Sequence, residues 1–140
     1  MSAEGKNIAV GVFCADWRLH QPEVQIVTQV RDHLKSVDAV DMLVFAGPEG
    51  VVKNPARAGE METLKNNLNV LIGAHHPTTL AFIGHQKCAG HPVSDAEHEA
   101  DVAEMMETYK KLTGFGGTMV ALVATYENDS KWGLKEVGRI

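Results

Sequence analysis

The sequence of 140 residues lacks several features that mark whole classes of protein. It has only two cysteines, too few for the disulfide framework of a small secreted domain. It has no apolar run near the roughly 20 residues that a membrane-spanning helix requires. It also has no run of lysines and arginines, and its net charge is −5, so neither a membrane nor a nucleic-acid partner is expected.

The N-terminal segment, residues 1–7, lacks the order of a signal peptide, in which basic residues precede an apolar stretch. We therefore expect a cytoplasmic protein in which both thiols stay reduced. Hydrophobic residues make up 44% of the chain and charged residues 22%, which is the balance of an ordinary globular protein. The length predicts one domain, residues 1–140, with a single core.

Apolar runs alternate along the chain with segments of helical periodicity. The apolar runs predict four buried strands, at 7–14, 39–45, 79–84 and 118–125. The periodic segments predict three helices, from about 22 to 36, through 61–71 with Gly73 as its cap, and from the capping box Ser94–Glu97 to Gly114. Residues 47–58 have no period and are predicted to form a loop, while the mixed tail at 127–140 fits either a strand or a helix.

Strands that alternate with helices and are apolar throughout indicate an α/β fold. We predict a single three-layer domain with a mainly parallel sheet of about four to five strands and helices on both faces. In such sheets, ligands bind beyond the carboxyl ends of the strands. This arrangement brings Cys14 and Cys88 to one edge, although 74 positions separate them in the sequence (88 − 14).

The two cysteines and one histidine fit a metal site at that edge. Cys14 ends the first strand, and His85 and Cys88 follow the third. Thiolates and an imidazole suit zinc, and three protein ligands leave a fourth position for water. A disulfide and a thiol redox pair are the alternatives; the reducing compartment, the adjacent histidine and the wide spacing of the cysteines disfavour them.

Asp16 and Arg18 follow Cys14 closely and give the edge a carboxylate and a guanidinium. A carboxylate beside a metal can accept a hydrogen bond from the metal's hydroxide, or it can occupy the fourth position itself. An arginine two residues further on can hold that carboxylate bidentately and keep it ionised. A purely structural ion pair is the simpler alternative for the two residues. The remaining histidines considered are expected at the surface: His20, His75, His76, His91 and His98.

The paired motifs resemble those of the β-class carbonic anhydrases. They read Cys14-Ala15-Asp16-Trp17-Arg18 and Gly84-His85-Gln86-Lys87-Cys88-Ala89-Gly90, and the resemblance extends over about residues 7–126. It implies the zinc-dependent reversible hydration of carbon dioxide to bicarbonate and a proton, through zinc-bound hydroxide. It further implies that Cys14, His85 and Cys88 bind zinc, that Asp16 and Arg18 are catalytic, and that the protein forms a homodimer or higher homo-oligomer.

Two other functions fit the same motifs. Relatives with a similar site hydrolyse carbon disulfide or carbonyl sulfide, and a narrow apolar entrance past Trp17 and Phe45 would favour that activity. This chain has Val44 and Phe45 where the family usually has an arginine and an asparagine. The second alternative is a non-catalytic protein with a structural zinc site, which would close the metal within four protein ligands.

Overall fold

The structure, a computed structural model, describes residues 5–140. Met1 to Glu4, the start of the N-terminal segment in which no signal peptide is expected, lie outside the described residues. The centre is a five-stranded sheet in the order β2-β1-β3-β4-β5. Its strands are β1 (Ile8–Cys14), β2 (Ala39–Phe45), β3 (Thr79–His85), β4 (Thr118–Asn128) and β5 (Lys131–Arg139). The first four are parallel, and β5 pairs antiparallel with β4.

Helices cover both faces of the sheet, as predicted. They are α1 (Trp17–His20), α2 (Ile26–Leu34), α3 (Pro48–Lys53), α4 (Ala58–His75) and α5 (Asp95–Thr113). On one face Leu68 of α4 and Tyr109 of α5 pack against the sheet, and on the other Leu19 of α1 and Val30 of α2 do so. Every residue of β1 and β3 is buried, which explains why β1 is apolar throughout and β3 is apolar from Leu80 to Gly84. The predicted three-layer α/β fold is therefore confirmed.

The start and end of α5 follow the predicted capping signals. The Ser94 hydroxyl accepts a hydrogen bond from the Glu97 amide at 3.2 Å, and the Glu97 carboxylate accepts one from the Ser94 amide. Gly114 ends the helix in the left-handed conformation, with φ of 65°. Within residues 5–140 no helix is both long and apolar enough to cross a bilayer.

The predicted loop at 47–58 is wrong. The structure has α3 there, followed by a 3₁₀ turn at Pro55–Arg57. Pro48 occupies the first position of α3, where its missing N–H costs nothing, and residues 48–51 are buried. Tertiary packing thus stabilises a short helix that has no periodic pattern of its own.

Two helix boundaries differ from expectation, and the structure decides between the strand and the helix that the sequence of the tail allows. Helix α2 begins at Ile26 rather than near residue 22, because Gln25 has a left-handed φ of 43°. Helix α4 continues through Gly73 and ends where His76 adopts a φ of 49°. The tail forms β5, which extends the sheet beyond β4.

Candidate metal centre

The candidate site lies where neighbouring strands end. Cys14 is the last residue of β1 and His85 the last of β3, and these strands are parallel neighbours. Cys88 returns to the same edge through a tight turn in which Lys87 has a left-handed φ of 59°. The Arg18 guanidinium donates to the Lys87 carbonyl at 2.9 Å and ties this turn to the segment that follows Cys14.

The structure brings the three predicted ligands together. The Sγ atoms of Cys14 and Cys88 are 3.9 Å apart, and all three ligand atoms lie within 4.8 Å of one another. Two sulfurs bound at about 2.3 Å to one tetrahedral zinc would be about 3.8 Å apart. Both cysteines are free and buried, and His85 is fully buried. The spacing therefore matches a shared ion without movement of the sulfurs.

The orientation of His85 supports the same interpretation. Its Nδ1 lies 2.6 Å from the Gln86 carbonyl oxygen, which can only accept, so Nδ1 carries the proton. That leaves Nε2 as a lone-pair donor, buried and without a hydrogen-bond partner among the described residues. A disulfide between the cysteines would leave Nε2 in this costly state, whereas a cation shared with the sulfurs would satisfy it. The residues therefore fit a metal.

Asp16 and Arg18 form a bidentate pair beside the cluster. Asp16 is the N-cap of α1, and the bend at the helix start lets side chains two positions apart meet. Its Oδ1 accepts from Arg18 Nε at 3.1 Å, and its Oδ2 accepts from Nη2 at 2.7 Å. These hydrogen bonds lower the pKa of Asp16. The ionised Oδ2 lies 3.9 Å from His85 Nε2, next to the cluster but held by the arginine.

A cavity of about 240 Å³ opens onto the cluster. This is smaller than the roughly 300–1,000 Å³ of pockets for drug-sized ligands, so the cavity suits a small substrate. Its wall is formed by small residues and the site itself: Cys14, Ala15, Asp16, Ala46, Gly47, Cys88, Ala89 and Gly90. Neither Trp17, which is 66% exposed, nor Phe45, which packs against the core, is among the described residues that line the cavity. The cavity wall therefore does not support the narrow apolar entrance that would favour the sulfur-containing substrates.

Comparison with known families agrees with this geometry. A family model described as "Putative carbonic anhydrase" matches residues 4–138. The chain belongs to this family. No curated protein matches the chain. Membership confirms the family resemblance carried by the two motifs, and the Cys-His-Cys cluster of this family member can hold a metal ion.

The two thiols of this carbonic anhydrase family member share one proton. A hydrogen bond from the Cys88 thiol lowers the pKa of Cys14 to about 4, with further help from His85 and the Gly47 amide and against the effect of burial. The same hydrogen bond, together with burial, raises the pKa of the Cys88 thiol. Burial lowers the pKa of His85, but the hydrogen bond and the charge of the Cys14 thiolate raise it, and the net result is a raised pKa.

Metal binding is therefore expected to release protons. At a pH below the raised pKa of His85, a cation must displace two protons, one from His85 and one from the thiol pair. At a pH above that pKa, it must displace only the proton of the thiol pair. Zinc affinity should rise about tenfold per pH unit above that pKa and more steeply below it. Competition with a chelator across the neutral pH range measures the pH dependence of the zinc affinity. Calorimetry in buffers of different ionisation enthalpy measures the number of protons released. An affinity independent of pH would contradict the shared proton.

Sequence reasoning missed the hairpin of β4 and β5 as part of the site. Trp132 is buried, and its ring centroid lies 5.6 Å from that of His85 and 5.3 Å from the Arg18 guanidinium carbon. Tyr126 lies on the guanidinium as well, at 5.8 Å, and Asp129 Oδ1 is 3.6 Å from Arg18 Nη1. The hairpin thus positions both a predicted ligand and the arginine that holds Asp16. The available signal was an aromatic residue on either side of a polar segment, Tyr126 before it and Trp132 after it.

A buried pair of Glu49 and His98 was also missed. The surface position predicted for His98 is wrong, because the residue lies one turn before Val102 on the buried face of α5. Its Nδ1 is 3.0 Å from Glu49 Oε1, and both side chains are almost fully buried. His91 lies beside it, with its Nε2 2.6 Å from Asp101 Oδ2. Only the spacing of His98 and Val102 in the sequence pointed to this burial.

Proposed function

We propose that this protein catalyses the zinc-dependent, reversible hydration of carbon dioxide to bicarbonate and a proton. The observation that carries the proposal is the buried Nε2 of His85, which has no hydrogen-bond partner among residues 5–140 and lies beside two free sulfurs and the ionised Asp16. Membership of the carbonic anhydrase family supports the same reaction.

Each residue has a distinct role in this reaction. Cys14, His85 and Cys88 would hold zinc, which when bound supplies a Lewis acid able to ionise water near pH 7. Because Asp16 is ionised, it can only accept hydrogen bonds. A nucleophile that donates a hydrogen bond to Oδ2 would therefore be oriented with a lone pair toward the cavity. Arg18 engages both oxygens of Asp16 and keeps the carboxylate at the edge of the cluster.

The cavity suits a small neutral substrate. The side chains of Ala15, Ala46 and Ala89 present methyl groups, and the glycines beside them present backbone only. Apart from the predicted metal ligands, Asp16 is the one charged side chain among the described residues of the wall, and Arg18 offsets its charge. A linear molecule without charge can therefore approach the cluster without losing strong hydration, and the cavity's opening lets a proton and bicarbonate leave to solvent.

The geometry favours catalysis over a structural zinc site. The described residues supply three ligand-bearing side chains to the cluster, and both oxygens of the nearby Asp16 are engaged by Arg18. A structural site would close the metal within four protein ligands. Carbon disulfide or carbonyl sulfide hydrolysis has less support, because neither Trp17 nor Phe45 is among the described residues that line the cavity.

Stopped-flow hydration of carbon dioxide tests the proposal. Zinc-loaded protein should accelerate hydration well above buffer, and protein stripped by a chelator should not until zinc is restored. A rate no faster than buffer with zinc fully bound would refute carbonic anhydrase activity. Hydrogen sulfide released from carbon disulfide by that same preparation would instead support the sulfur substrates.

We also propose a homodimer formed through β2. This strand lies at the edge of the sheet, and Met42 and Val44 on it are 41% and 44% exposed. An exposed apolar edge strand is a template for pairing with a second chain. Wild type should have twice the 15.2 kDa of one chain by light scattering, and Val44→Lys should shift it toward monomer. Val70→Lys, an exposed change on α4, serves as control, and a monomeric wild type would contradict the proposal.

A further inference from the structure

Arg57 lies outside the cluster, yet its side chain reaches the segment that contacts Cys14. Its Nη2 donates to the Ala46 carbonyl at 2.6 Å, and its Nη1 donates to the Gly47 carbonyl at 3.1 Å. Glu60 accepts hydrogen bonds from Nε and Nη2 and holds the guanidinium from the other side. The side chain is only 17% exposed, so this fork is largely shielded from water.

Gly47 contacts the cluster directly. Its amide donates to Cys14 Sγ at 3.4 Å. Its φ is +52°, and a Cβ added there would lie 2.7 Å from the Gly90 carbonyl carbon. Only glycine fits this conformation and this close approach. The segment therefore has one well-defined arrangement, in which Ala46 and Gly47 also form part of the cavity wall.

One peptide plane connects Arg57 to the sulfur. The Ala46 carbonyl and the Gly47 N–H belong to the same peptide unit, and no cis peptide bond occurs in the described residues. In a trans unit these two groups point in opposite directions. Fixing the carbonyl toward Arg57 therefore aims the N–H at Cys14 Sγ. The cationic donor on the oxygen also polarises the unit and strengthens its N–H as a donor.

We propose that Arg57 is a positioning residue for the metal centre. It aims and strengthens the Gly47 hydrogen bond to Cys14 and so sets how strongly that sulfur donates to a bound cation. The inference rests on the metal site in the proposed function but not on the reaction proposed there. Groups that orient a ligand in this way typically change metal affinity by about 10–100-fold when removed.

Cobalt titration of position-57 variants tests the role. In Arg57→Gln the sulfur-to-cobalt charge-transfer band should move to lower energy, because the sulfur lone pairs lose a hydrogen bond, and Co²⁺ affinity should fall about 10–100-fold. In Arg57→Lys the band energy and the Co²⁺ affinity should lie between those of wild type and Arg57→Gln, because an ammonium cannot hold two carbonyls in the fixed geometry of a guanidinium. Arg31→Gln, at an exposed position on α2, should match wild type. An unchanged band and affinity in Arg57→Gln would overturn the proposal.

A measurement on wild type keeps the test independent of how the variants fold. In protein loaded with ¹¹³Cd the Gly47 amide proton should show scalar coupling to the metal across the N–H···S hydrogen bond, and the absence of that coupling would refute the inference. If wild type binds neither Co²⁺ nor Cd²⁺, the proposed function fails. Hydrogen exchange of the Gly47 amide in metal-free protein then decides the inference, which requires slower exchange in wild type than in Arg57→Lys.

Discussion

Zinc-loaded Asp16→Asn protein is expected to hydrate carbon dioxide at least about a hundredfold more slowly than wild type while its zinc stays bound. The amide keeps the shape of the carboxylate but loses its charge, so it no longer accepts strongly from the nucleophile. Zinc should remain because Asp16 is held by Arg18 and lies outside the three-residue cluster. Stopped-flow rates, normalised to measured zinc content, test this expectation.

The control for this variant is Asp32→Asn. Asp32 is exposed on α2 and pairs only with Arg31 among the contacts described, so the change removes one carboxylate far from the cluster. Its rate should equal that of wild type. A rate within threefold of wild type for Asp16→Asn, with zinc fully bound, would show that Asp16 does not direct the nucleophile and that its pair with Arg18 is purely structural.

Cys88→Ser is expected to abolish stoichiometric zinc binding and to remove the stability that zinc confers. A hydroxyl at this position stays protonated near neutral pH, whereas a metal requires a deprotonated sulfur ligand. At a free zinc concentration 100 times the dissociation constant, wild type should gain about 2.7 kcal/mol in its free energy of unfolding. Chemical denaturation with and without zinc should show this gain in wild type and not in Cys88→Ser.

Chelated wild type provides the comparison for Cys88→Ser. The two should unfold at similar denaturant concentrations, because serine is close to cysteine in size and the missing ion accounts for the difference. Zinc should stabilise the chelated wild type on re-addition and leave the variant unchanged. Retention of one zinc per chain by Cys88→Ser would exclude this residue as a ligand and would point to a different metal site.

The sequence predicted the layout of the fold because each buried element has a pattern of its own. β1 is apolar at every position and β3 is apolar from Leu80 to Gly84, as is typical of strands covered on both faces. The capping box at Ser94 and Glu97 marks the start of α5. Parallel neighbours end at one edge, so the convergence of Cys14, His85 and Cys88 also followed from order and type of element. The resemblance of the paired motifs to the carbonic anhydrases added the expectation of zinc and of the roles of Asp16 and Arg18.

Other parts of the site depend on contacts that no local pattern records. Helix α3 has low intrinsic propensity and is stabilised by burial, so the sequence of the segment that holds Glu49 and Arg57 predicts a loop. The roles of Arg57 and Trp132 arise from packing across 43 positions to Cys14 (57 − 14) and 47 to His85 (132 − 85). Such pairs become visible only when the chain is folded.

X-ray absorption at the zinc edge of protein loaded with one equivalent of zinc tests the central claim most directly. Cys14, His85 and Cys88 predict two sulfur atoms at about 2.3 Å and an imidazole nitrogen at about 2.0 Å, with one further light atom completing four-coordination. The Cys88→Ser protein, treated identically, should lack this signal. A wild-type spectrum with no sulfur in the coordination sphere would contradict the account, whatever activity the protein shows.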